Sequence, residues 1–149
     1  MTRSKVLLFA AMLAAGCATT KTYQGAAPEN VTVHSSISKM RGAMHVHEVD
    51  AACHTQYLGS VQLDQPSIAL GLPPERLSYV VVSFEGSSFL GGSTTATSVG
   101  TLVKPRAGYR YQFEVTYRDS IYHVALRETD PRRGSSRELA RRDLTQCGV

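Results

Sequence analysis

The run HVH sets His45 and His47 two residues apart. On an extended strand that spacing puts both imidazoles on one face about 7 Å apart, near enough to reach a single metal ion. A site would need further ligands from His34, His54, His123, Glu48 or Asp50, and no other Cys or His spacing resembles a metal frame. His45 and His47 are therefore weak metal candidates, and no metal or cofactor is expected. Nucleophilic catalysis has less to draw on, because the chain contains neither a Gly-x-Ser-x-Gly elbow nor a phosphate-cradling Gly-Lys-Ser/Thr. Glu114 has no visible acidic partner for glycosidase-type chemistry. No catalytic residue is assigned, and the expectation is a protein that is not an enzyme.

The remaining reactive group is a thiol. Cys17 follows a positive end (Arg3, Lys5), an apolar core (Val6 to Ala15) and a small-residue exit, the grammar of a secretory signal peptide. Ten helical residues reach only about 15 Å, half the hydrocarbon thickness, so this stretch makes a poor permanent span. The sequence Ala14-Ala15-Gly16-Cys17 resembles the lipobox of bacterial lipoproteins. The commonest form has Leu three before the cysteine; here Ala14 stands there and Leu13 one further out. The resemblance implies a diacylglycerol on Cys17, removal of residues 1–16 as the leader, and acylation of the new amine. With Ala18 and not Asp next, it also implies export to the outer membrane. Several acyl chains together anchor stably where one alone is marginal. The competing reading is plain secretion, cut after Ala18. Three cysteines leave an odd thiol, a liability in an oxidising compartment. If Cys17 carries lipid, Cys53 and Cys147 remain as a disulfide pair enclosing about 95 residues, a closure of roughly 4 to 5 kcal/mol in the chain-entropy model.

Without Arg3 and Lys5, fourteen basic residues face twelve acidic ones, a net charge of +2. That is too mild to point to nucleic acid. The absence of Trp, with seven Tyr and twelve Gly among many Thr, Ser and Val, favours strands and turns. Residues 18–30 (ATTKTYQGAAPEN) show neither period and read as a flexible tether, reaching about 45 Å when stretched. The domain is expected over 31–149.

Short strands follow: NVTVHSS, AMHVHEVD with Gly42 as the turn before it, YLGSVQL, and SIAL up to the breaker GLPPER. LSYVVVSFEG is the most apolar run, expected to be a central strand buried on both faces. Residues 86–100, with four Gly, read as a mobile excursion anchored by Phe89 and Leu90. YRYQFEVTY then alternates Tyr109, Tyr111, Phe113, Val115 and Tyr117 against polar residues, and IYHVALRE supplies Tyr122, Val124 and Leu126. This hairpin reads as a core face in preference to a sugar-stacking platform. Arg127, Arg132, Arg133, Arg137, Arg141 and Arg142 could meet lipid headgroups or an acidic partner, but DPRRGSS reads more simply as a turn. The tail SRELARRDLTQC is the one helix candidate, capped by Ser135 or Ser136, with a final strand as the alternative.

Seven or so strands and one late cysteine pair predict an all-β, antiparallel two-sheet sandwich, immunoglobulin-like or transthyretin-like, with room for a short C-terminal helix. The expected protein is an outer-membrane lipoprotein whose sandwich faces the periplasm and serves interaction or scaffolding in an envelope assembly. Its partners would be the membrane, through the lipid, and an envelope protein. Small sandwich lipoproteins of type VI secretion machinery share this plan without a matching motif. The alternative is a periplasmic small-ligand or metal-binding module using HVH or the 86–100 segment.

Overall fold

The computed structural model describes residues 21–37, 41–87, 94–119 and 121–148. Among these residues nine strands run in chain order: β1 (Val31–Ser35), β2 (Arg41–Val49), β3 (Thr55–Gln62), β4 (Ser67–Leu70), β5 (Ser78–Ser87), β6 (Thr94–Val103), β7 (Arg110–Arg118), β8 (Ile121–Asp130) and β9 (Ser135–Leu139). They form two packed sheets, one ordered β4, β1, β7, β8, β9 and the other β3, β2, β5, β6. Pairing is antiparallel except between β1 and β7, which run parallel. The protein is thus the expected all-β sandwich.

Period-two alternation explains which side chains meet between the sheets. Val31 and Val33 of β1, Met44 and Val46 of β2, Val80, Val82 and Phe84 of β5, and Tyr111, Phe113 and Val115 of β7 all point inward and are buried. Phe84 stacks on Tyr122 of the facing sheet at 4.1 Å between ring centroids and 6° between planes. That contact joins the layers through β8, whose core face carries Tyr122, Val124 and Leu126 as expected.

Several expectations require correction. β5 is central in its sheet but not buried on both faces, since Val81 and Ser83 are half-exposed while Val80 and Val82 are buried. A two-layer sandwich covers only one face of each sheet. Gly42 is no turn; it lies in β2 opposite Phe84. The 86–100 segment is largely strand, for the β5–β6 ladder continues to Ser87 opposite Thr94. Thr and Val at alternating positions suit a ladder despite the neighbouring glycines. Gly100 serves packing, because a Cβ there would stand 2.1 Å from the Tyr79 hydroxyl. Phe89 and Leu90 lie outside the described residues. In the tail, the expected helix is mostly strand: Ser135–Leu139 pairs with β8, and only Leu144–Gln146 forms a single 3-10 turn.

The expected tether is corrected too. Residues 21–30 are docked: Thr22 bridges Ser60 in parallel, the Tyr23 amide donates to the Ser60 carbonyl at 2.9 Å, and the Ser60 amide donates to Lys21 at 2.8 Å. The folded unit therefore begins by Lys21 and not near Val31.

Candidate functional site

The docked segment crosses from β3, one edge of the four-stranded sheet, to β4, the matching edge of the other. Tyr23 is buried and its hydroxyl donates to the Gly71 carbonyl at 2.8 Å; the Ala26 amide donates to the same oxygen at 2.9 Å. Burial raises the Tyr23 phenol above its ordinary pKa, so it stays a neutral donor. Buried Asn30 exchanges two 2.9 Å hydrogen bonds with the Leu72 backbone. Two glycines make room for this. A Cβ on Gly59 would lie 2.6 Å from the Tyr23 nitrogen, and one on Gly71 only 1.5 Å from the Ala26 oxygen. Gly59 also sits at φ 146°, beside a bulge that keeps His47 opposite Tyr57.

The parallel bridge gives the segment a direction. β3 begins at Thr55, opposite Val49 at the end of β2, so the described segment starts beside Ser60 with its Lys21 side facing that end of the sandwich. The same end holds the Cys53–Cys147 disulfide, with Cα atoms 5.8 Å apart, and the connections into β5 and between β6 and β7. Backbone bonds knit these loops together: Glu75 to Pro105 at 2.7 Å, Val49 to Leu77 at 3.0 Å and Leu102 to Arg142 at 2.8 Å.

Beside this end, where β6 meets β9, an open cleft of about 530 Å³ is lined by Lys104, Arg106, Glu128, Arg137, Leu139 and Arg142, among others. Its floor is Glu128, a buried carboxylate on the core-facing side of β8, two residues beyond Leu126. It accepts from Tyr111 Oη at 2.7 Å, Arg106 Nε at 3.1 Å and Arg137 Nε at 2.9 Å. Burial pushes the Glu128 pKa up, but these three donors outweigh it and hold the carboxyl below its ordinary value. The Arg106 guanidinium also lies 3.7 Å over the Tyr109 ring. Sequence reading missed this centre. The signal was available, since period two from Leu126 aims Glu128 inward, with Tyr111 as its cross-strand partner.

The histidines occupy the outer face of the other sheet. His45 Nε2 lies 2.9 Å from Ser83 Oγ, and the His47 ring packs 5.2 Å from Tyr57 and 6.2 Å from Tyr79. Burial, then the neighbouring His45 charge, lowers the His47 pKa. The further ligands considered for a metal are engaged elsewhere or stand on the other sheet. Asp50 pairs with His54 at 3.1 Å, Glu48 with Arg76, and His34 and His123 belong to β1 and β8. Among the described residues no group of three His, Cys, Asp or Glu side chains is placed to hold a metal ion. No helix among them is long and apolar enough to cross a membrane. Cys17 and residues 1–16, the expected leader, fall outside the described residues. No family model matches the chain, and no curated protein matches it either.

Proposed function

We propose that the protein is a lipid-anchored, non-enzymatic component of the bacterial outer membrane, whose β-sandwich stands in the periplasm and contacts another envelope protein. The observation that carries this reading is the cysteine arithmetic. Cys53 and Cys147 are bonded to each other, which leaves Cys17 as the odd thiol. It stands directly after a positive, then apolar, then small-residue leader. Acyl chains there would confine the domain to a surface and raise its effective concentration toward any partner on the same membrane. Mass spectrometry of the protein made with its leader in a bacterial host is the test. An acylated chain beginning at Cys17 is expected; a free thiol at Cys17, or retention of residues 1–16, overturns it. Crosslinking in intact cells should then recover one specific envelope protein, and recovery of monomers alone counts against the scaffolding role.

A second reading, a metal or small-ligand module, draws on the two imidazoles grouped with Tyr57 and Tyr79 on one sheet face. Equilibrium dialysis with zinc and copper decides it. Stoichiometry that is unchanged by His45→Ala and His47→Ala removes this reading.

A further inference from the structure

We infer that the disulfide end of the sandwich is a docking surface for anionic phospholipid headgroups, an inference that rests on the anchoring of Cys17 proposed above. The first argument is reach. Because the fold begins by Lys21, only four residue steps separate the domain from Cys17, about 14 Å at full extension. A tether ending at Asn30 would have allowed about three times as much. Lys21 lies beside Ser60, five β3 residues or about 17 Å from Thr55, so a tether continuing along the strand is used up within the domain's own length and brings Cys17 level with that end. Charges there then stand within about one Debye length of the membrane surface at physiological salt.

The second argument is direction. The segment runs parallel to β3 with its Lys21 side facing Thr55, so that end, and not the one holding Asp64 and Asp119, is turned toward the anchor. The third is charge. Lys104, Arg132 and Arg142 stand in the loops at this end, and none has a carboxylate within ion-pair distance among the described residues. Of the carboxylates at this end, Glu128 is paired with Arg106 and Arg137, Asp130 with Arg133 and Asp143 with Arg141, while Asp50 and Glu75, bonded to His54 and to the Ala107 amide, keep their charge and are outnumbered by the three cations. At the far end Arg41 and Arg118 are likewise without an ion pair among the described residues, but they share that end with three carboxylates, Asp64, Glu85 and Asp119. The excess of positive charge therefore lies at the end that the short anchor turns toward phosphate. Lipid phosphates would satisfy them and hold the sandwich end-on against the bilayer.

The test separates the surface from the anchor. The mature chain with Cys17→Ser, which retains every described residue, is floated with phosphatidylcholine vesicles that either contain or lack phosphatidylglycerol. It is expected to partition to the anionic vesicles and to be released by salt. Each of Lys104→Gln, Arg132→Gln and Arg142→Gln should weaken partitioning about fivefold, in line with the contribution of one cation near a charged surface. Arg118→Gln at the far end should leave it unchanged. Equal partitioning to both vesicle types overturns the docking surface, as does a Lys104→Gln protein with the parent circular-dichroism spectrum and parent affinity. Acylated Cys17 in the native protein combined with no preference for anionic vesicles removes the surface and keeps the anchor. An unmodified Cys17 with a clear preference does the reverse.

Discussion

Gly59 and Tyr23 share a space that has no room for a methyl group: a Cβ on the glycine would stand 2.6 Å from the tyrosine's backbone nitrogen. That approach lets a segment lacking any strand or helix signal lie along β3. It also sets how far the domain stands from any anchor upstream. Gly59→Ala should release residues 21–30, because both the contact and the positive φ oppose a side chain. The expected cost is about 3 kcal/mol from strain and the lost burial of Tyr23. Hydrogen exchange should show faster exchange at the Tyr23 and Ser60 amides, with β7 and β8 unchanged. Continued protection of both amides would defeat this account.

Glu128 links acid sensitivity to one carboxylate. Its pKa in the fold lies below the unfolded value, so its contribution is fully present above the ordinary glutamate range near pH 4.3. It is lost as pH falls through the depressed value. Glu128→Gln keeps the shape but leaves Arg106 and Arg137 without their carboxylate, at a cost of about 2 kcal/mol at neutral pH. Urea unfolding at several pH values should show that the gap between variant and parent narrows below pH 4. A constant gap would mean that the group's ionisation is not what is being lost.

The disulfide spans a sequence separation of 94 residues and ties the tail to the connection before β3. Removing it through Cys53→Ser with Cys147→Ser should lower stability by roughly 4 kcal/mol, mostly by freeing the unfolded chain. The urea midpoint of the parent should fall similarly under reductant, while the double variant ignores it. A reductant-sensitive double variant would refute the pairing.

The His47 pKa is lowered first by burial and then by the positive charge of His45 when protonated. His45→Ala removes only the second cause, so His47 should titrate at higher pH than in the parent yet still below an ordinary histidine. Ring-proton shifts followed by NMR across pH 4 to 8 measure this directly. No upward movement would show that the two imidazoles do not sense each other.

Period-two alternation and turn residues were enough to locate most strands, because each side chain's face is a local property of an extended backbone. Tyr111, Phe113 and Val115 were legible as core in this way, whereas Val80 and Val82 lay in a run read as buried on both faces, of which only their side proved to be core. The same locality explains the failures. Nothing within YQGAAPEN states that Gly59 and Gly71 leave a channel for it, since a glycine's role depends on what approaches it from elsewhere in the chain. In the tail, Ser135–Leu139 had the composition of a helix, and only the free edge of β8 made it a strand. Glu128 drew no role from the sequence, although period two from Leu126 turns it inward, because its partners Arg106 and Arg137 come from other parts of the chain. The apolar run ahead of Cys17, the odd number of cysteines and the alternating strands are thus properties of the sequence by itself, readable because each is a matter of composition or of neighbours a few residues away. The parallel β1–β7 pairing, the docked N-terminal segment and the convergence of Arg106 and Arg137 on Glu128 were decided only by tertiary structure, because each arises where residues distant in the chain compete for the same space, hydrogen bonds and solvent.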